Sequence, residues 1–133
     1  PLVVHAAVVV IPVAAVLVIA GVVLSRRRPR LLRAGVFTSW VAVVSAILAS
    51  QSGEALGEEI GTPEAHEELG ELLPVVVIAL TVVASVTVWA RKKGWRISAT
   101  VLSLVSVLAS IAAMVLVVLV GHSGAEATWG WLF

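Results

Sequence analysis

Four long apolar stretches alternate along the chain with three polar ones, two short and basic and one long and acidic from Gln51 to Glu71, and this alternation predicts its elements. Leu2 to Leu24 runs 23 residues without a charge. At 1.5 Å per residue that length crosses a hydrocarbon core of about 30 Å with slight tilt, so a first membrane-spanning helix is predicted, with His5 near its start and Pro12 inside. Ser25 to Arg33, SRRRPRLLR, holds five arginines and must lie in water or headgroups, with Pro29 marking a turn between helices. Ala34 to Ser50 predicts a second span that leaves the membrane and continues to about Gly57. Its small residues Ser45, Ala49, Gly53 and Gly57 recur every four positions, a spacing that would let a neighbouring helix or a flat ligand come close.

The second half begins with a helix start signal. Thr62 suits the N-cap, Pro63 the first helical position, and Glu64 the positive end of the helix dipole. A third span is predicted through His66, Gly70 and Pro74 to Ala90, followed by a second basic turn of Arg91, Lys92, Lys93, Gly94 and Arg96. Ile97 to Val120 is the fourth predicted span. It ends in Gly121, His122, Ser123 and Gly124, before a short amphipathic tail whose Trp129 and Trp131 suit a headgroup anchor.

Composition agrees with this pattern. With 60% apolar residues and a mean hydropathy of +1.11, the chain is outside the range of soluble proteins and is read as one integral membrane domain over residues 1–133. A net charge of +1, with the cations in two clusters, excludes a nucleic acid groove. The absence of cysteine removes disulfides and thiolate metal sites. No nucleophile with a base, phosphate loop or nucleotide motif is present, so no catalytic motif and no nucleotide partner are found.

All nine Lys and Arg fall in the turns 25–33 and 91–96, and all eight carboxylates, every one a Glu, fall on the opposite side of the four spans. The positive-inside rule then makes both turns cytoplasmic and both termini extracytoplasmic in a bacterial plasma membrane. A secretory signal would carry its positive charges before the apolar core, whereas here they follow it, so the first stretch is expected to be a span that starts on the outer side. Short turns make each helix pair an antiparallel hairpin, and the expected fold is an all-α, four-transmembrane-helix up-down bundle.

The halves also repeat. His5 precedes Pro12 as His66 precedes Pro74, a basic turn follows in each, and the second helix of each leaves through similar words, SQSGEA at Ser50 to Ala55 and GHSGAEA at Gly121 to Ala127. Two repeated helical hairpins, about 2–57 and 63–126, are expected to be related by a pseudo-two-fold along the membrane normal, with Gln51 in the place of His122.

The words PLVVHAAVVVIPVAAV at the start, the pair His66 and Glu67 before the third span, and GHSGAEATW near the end resemble the bacterial membrane-protein family catalogued as domain of unknown function 2231, in particular its actinobacterial members. The resemblance covers essentially the whole chain. It implies a four-helix membrane protein with histidines at these three places. The family pattern often has a further His just before the position of Pro1, which this sequence does not show.

Three histidines are the whole His content, and the topology sets His5, His66 and His122 near the outer ends of the first, third and fourth helices. Polar side chains in membranes usually face the bundle, where they mark a site, so the three are candidate ligands. One reading is haem b held by two of them, with small residues admitting the macrocycle. Its propionates would meet an outer side rich in Glu and lacking Lys or Arg. The other is a directly ligated Zn or Cu ion on His5, His66 and His122 with Glu67 or Glu54, drawn by the acidic field. Either centre would serve electron transfer or metal handling with a membrane partner. The bland alternative is interfacial histidines that only hold helices together, in a cofactor-free accessory subunit of a larger, plausibly respiratory, complex or in a homo-oligomer. The Glu cluster Glu58, Glu59, Glu64, Glu67, Glu68 and Glu71 reads as a solvated face, because it lacks the spaced loop ligands of a calcium site. Ser103, Ser106 and Ser110, on one side of the fourth helix, read as interhelical packing rather than a proton path.

Overall fold

The computed structural model describes the backbone of residues 2–25, 27–60 and 64–129, and the side chains of residues 5–25, 27–55 and 66–126. It consists of four helices: α1 (Leu2–Val23), α2 (Arg30–Ile60), α3 (Glu64–Lys92) and α4 (Arg96–Trp129). All four are long and apolar enough to cross a membrane, and no strand occurs among the described residues. Thr62, Pro63 and Trp131 lie outside the described residues, as do the side chains of Gly57, Glu58, Glu59, Glu64 and Trp129.

Each helix packs against two neighbours, α1 against α2 and α4, and α3 against α2 and α4. The register is antiparallel. Gly21 faces Leu32 while Gly35 faces Val18, and Thr87 meets Ser106 while Arg91 meets Ser103 and His66 meets Ser123. The result is an up-down bundle with both basic turns at one end.

Apolar residues surround each helix, so burial here sorts by size more than by polarity. Buried positions include Ala14, Ala15, Ala42, Ala46, Ala84 and Ala113 beside Ile11, Val18, Val77 and Leu80, whereas Phe37, Trp40, Leu104, Leu108 and Val118 point outward. Lipid is as apolar as Leu and gives no hydrophobic drive to helix pairing, so close backbone approach and dispersion must supply it. The buried share of each apolar span is only 28% to 39%, which leaves most of its surface for lipid.

α1 and α2 approach each other closely at two glycines. A Cβ on Gly21 would come within 2.4 Å of Leu32 Cα, and one on Gly35 within 2.8 Å of the Val18 nitrogen. Of the expected stripe Ser45, Ala49 and Gly53, Ala49 packs against the core while Gly53 stays outside this seam. Gly53 is exposed with nothing within 4 Å of a Cβ, while Gly35, Ser39, Ala42 and Ala46 are buried. The physical reason is that Gly53 lies in the polar extension of α2, beyond the level where α1 packs.

Buried hydroxyls are satisfied locally. Ser39, Thr81, Ser103 and Ser110 each donate to the carbonyl four residues earlier, and of Thr87 and Ser106, whose oxygens lie 2.9 Å apart across the α3–α4 interface, one donates to the other while the acceptor donates to its own carbonyl four residues earlier. This is the packing role read for the α4 serines.

α4 differs from its sequence reading at one end. It does not stop at Val120 but continues as helix through Gly121, His122, Ser123 and Gly124 to Trp129. Two glycines in a helix cost about 1 kcal/mol each relative to Ala, so the continuation needs a compensating contact. Gly124 has one, because its face receives the ring of His66.

α3 runs on past Ala90 through Lys92 and stops inside the expected basic turn. Gly94 has φ of 74°. The Trp95 amide donates to the Ala90 carbonyl at 3.1 Å and the Gly94 amide to the Arg91 carbonyl at 3.2 Å, the paired bonds of a glycine helix stop. Trp95 then packs edge-on against Trp89, with ring centroids 4.9 Å apart.

Candidate functional site

The acidic end of the bundle carries the candidate ligands. His66 sits in the first turns of α3, half-buried, and its Nδ1 lies 2.9 Å from Ser123 Oγ on α4. A Cβ on Gly124 would lie 3.1 Å from His66 Cε1, so the imidazole packs against a helix that has no side chain there.

The proton positions follow from counting donors. A serine hydroxyl has one hydrogen, and Ser123 directs its own toward the Val120 carbonyl at 3.1 Å. With the hydrogen placed there, the Ser123 oxygen is the acceptor and His66 Nδ1–H the donor. In the neutral imidazole the lone pair is left on Nε2. Metal-binding histidines are commonly held in this way, with one ring nitrogen donating to a fixed acceptor and the other presented to the ion.

The other two histidines have different surroundings. His122, although next to Ser123 in sequence, is on another face of α4 with its side chain 70% exposed, and its Nε2 pairs with Glu126 at 3.4 Å one turn on. His5 is exposed near the start of α1. Glu54 accepts from Ser50 at 3.2 Å on α2, and Glu67 is exposed beside His66.

Among the described residues no three or more of the His, Asp and Glu side chains gather into a group able to hold a metal. The expected set of His5, His66 and His122 with Glu67 or Glu54 is thus not assembled as one cluster in this conformation. The geometry singles out His66, whose ring is joined to α4 by the hydrogen bond to Ser123.

Two partners were missed in the sequence. In the sequence Ser123 stands only in a repeated word and Arg91 only in a turn, yet Ser123 meets His66 and Arg91 Nη2 donates to Ser103 at 2.9 Å. Antiparallel register would have found both, since pairing Thr87 with Ser106 carries Arg91 toward Ser103 in one direction and His66 toward Ser123 in the other.

The opposite end is as strongly basic as this one is acidic. Arg27, Arg28, Arg30 and Arg33 join Arg91, Lys92, Lys93 and Arg96 there, and no carboxylate of the sequence falls in either turn.

Comparison with known proteins agrees with this architecture. A family described as "Predicted membrane protein (DUF2231)" matches residues 1–131. No curated protein and no solved structure matches the chain. Its match over nearly the full length establishes that the chain belongs to the family of predicted membrane proteins catalogued as domain of unknown function 2231.

Proposed function

We propose that the acidic end of this membrane protein handles a transition-metal ion, with His66 as its anchoring ligand, and that it does so together with a membrane partner. The observation that carries the reading is the 2.9 Å contact of His66 Nδ1 with Ser123, which holds the ring and, with Nδ1–H as the donor, would leave the Nε2 lone pair for an ion. Exposed Glu67, Glu68, Glu71 and Glu126 at the same end attract cations and raise their local concentration. A site built on one oriented imidazole is open. Water, mobile carboxylates such as Glu67 or Glu54, or a partner's side chains complete it, as suits a place where Zn or Cu is passed on rather than stored.

The same geometry favours an ion over haem b. The His66 ring rests against Gly124, which fills the space a macrocycle would need between α3 and α4. No Lys or Arg lies at this end to receive propionates. Histidines split between helix tie and surface pair are also what the cofactor-free accessory subunit would have, so the test must separate these two readings.

Orientation belongs to the same proposal. The basic turns face the cytoplasm and the histidine end faces outward across a bacterial plasma membrane, as the positive-inside rule orders them. Cysteines placed at Arg28 or Lys92 are then shielded from outside reagents, and one placed at Glu59 reacts. The two hairpins descend from one duplicated hairpin, which requires that 2–55 superpose on 63–126 by a rotation near a half turn about the membrane normal.

Metal analysis and titration of the purified protein with Zn²⁺ and Cu²⁺, with a visible spectrum before and after reductant, test the function. Binding near one ion per chain that is lost in His66→Ala, and kept in His122→Ala, is the expected result. A haem absorption band would replace the ion with haem, and a colourless protein that binds no metal would leave the accessory-subunit reading.

A further inference from the structure

The basic end holds a cleft that the metal reading does not use. Ser25, Pro29, Leu32 and Arg33 from the first turn and the start of α2 face Val88, Arg91 and Lys92 from the end of α3 around about 320 Å³. That volume is at the lower end of the range for small-molecule clefts. Two segments far apart in sequence thus bring three cations and one hydroxyl to a single opening. Pro29, Leu32 and Val88 supply an apolar wall.

The three cations have no carboxylate to neutralise them, because every Glu of the chain lies toward the opposite end. Among the described residues the single ion pair is that of His122 with Glu126, at that far end. Arg91 is also positioned. Its Nη2 donates to Ser103, whose hydroxyl is itself directed to the Ala99 carbonyl, so one of its five N–H groups is spent on orientation and the rest stay available.

We propose that this cleft binds a phosphate group. Phosphate matches what the walls offer: guanidinium forks at Arg33 and Arg91 pair two oxygens at once, Lys92 adds a point charge, and the Ser25 hydroxyl donates to a further oxygen. A carboxylate would satisfy fewer of these donors. The phosphate can come from an acidic phospholipid, whose glycerol and upper chains would lie on Leu32 and Val88, or from free phosphate in the aqueous phase. Basic pockets between transmembrane helices at headgroup level are a known way of holding acidic lipids.

The test uses the full chain, purified in a zwitterionic detergent. Phosphatidylglycerol, phosphatidylcholine and inorganic phosphate are added separately, and bound lipid is counted by native mass spectrometry beside a thermal melt. Retention of phosphatidylglycerol but not phosphatidylcholine, with no response to inorganic phosphate, supports the site and assigns it to lipid. Stabilisation by inorganic phosphate as well supports the site and assigns it to a free anion.

Each cation removed should weaken binding roughly fivefold, so Arg33→Gln with Lys92→Gln should weaken it roughly twenty-five-fold. Arg28→Gln, which removes an equal charge outside the cleft, should weaken it far less. Both Arg33 and Lys92 are exposed, so these variants fold, and helical circular dichroism checks that they do. No preference for phosphatidylglycerol together with no response to phosphate would overturn the proposal. So would an equal loss in Arg28→Gln, which would mean diffuse attraction.

Discussion

Gly21→Ala adds one methyl group where α1 and α2 touch, and the structure sets its cost. The new Cβ would stand 2.4 Å from both the Cα and the nitrogen of Leu32, and 2.8 Å from its Cβ. Ordinary carbon contact begins near about 3.5 Å, so the helices must part locally by roughly 1 Å. Backbone atoms cannot rotate away as a flexible side chain can. Overpacking of this kind costs about 1–3 kcal/mol, and Ala in place of Gly returns about 1 kcal/mol of helix propensity. Because the clash is with backbone, a net loss of about 1–2 kcal/mol is expected from these two terms.

Gly53→Ala is the matched control, since nothing lies within 4 Å of its Cβ position. Only the propensity term remains, and a gain of up to about 1 kcal/mol is expected. Gly35→Ala, whose Cβ would meet the Val18 backbone at 2.8 Å, should cost less than Gly21→Ala. The double variant should cost less than the two losses together, because parting the helices at one glycine relieves the other. Reversible unfolding in mixed micelles, followed by circular dichroism, gives all four values. A Gly21→Ala protein as stable as the parent, or a Gly53→Ala protein that is the more damaged of the two, would refute this packing.

Other expectations follow from single contacts. Thr87→Val and Ser106→Ala should be coupled in a double-mutant cycle by about 0.6 kcal/mol, and by no more than about 1.7, through their shared hydroxyl contact. Gly94→Ala should cost about 1–2 kcal/mol, because φ of 74° forces its methyl group into the left-handed region; an unchanged melting temperature would contradict the helix stop. Leu108→Arg tests the membrane itself. Leu108 is 66% exposed, so in water the change would be nearly neutral, but facing lipid it should cost about 2.5–3.5 kcal/mol and reduce insertion in a microsomal assay.

The sequence carried the spans, their order and the separation of charge, because a span must be long and apolar and a turn must be polar whatever packs beside it. It did not carry the inward faces. In a soluble helix the buried stripe is apolar and the exposed one polar, but here Val77 faces the core and Val75 faces lipid with the same side chain. Size is the remaining cue, and several helices offer more than one line of small residues. The line through Ser45, Ala49 and Gly53 is regular, but Ala49 meets the core while Gly53 lies beyond it, and Gly21 and Gly35, separated by a turn, do not look like one motif. For the site, the histidines were legible as the rare ring nitrogens of an apolar chain. Their separation was not, since it depends on the helical continuation of α4 past Gly121, which turns His122 outward and Ser123 toward His66.

The central functional claim is that His66 presents Nε2 to a metal while Nδ1 is held by Ser123, and the ring nitrogens of His66 report on it directly. With ¹⁵N-labelled histidine in detergent micelles at neutral pH, the account expects Nδ1 of His66 to carry the proton. On addition of Zn²⁺ the Nε2 resonance should move while Nδ1 stays protonated, and Ser123→Ala should weaken that response. A His66 ring protonated at Nε2, or one that ignores Zn²⁺ while His5 or His122 responds, would contradict it.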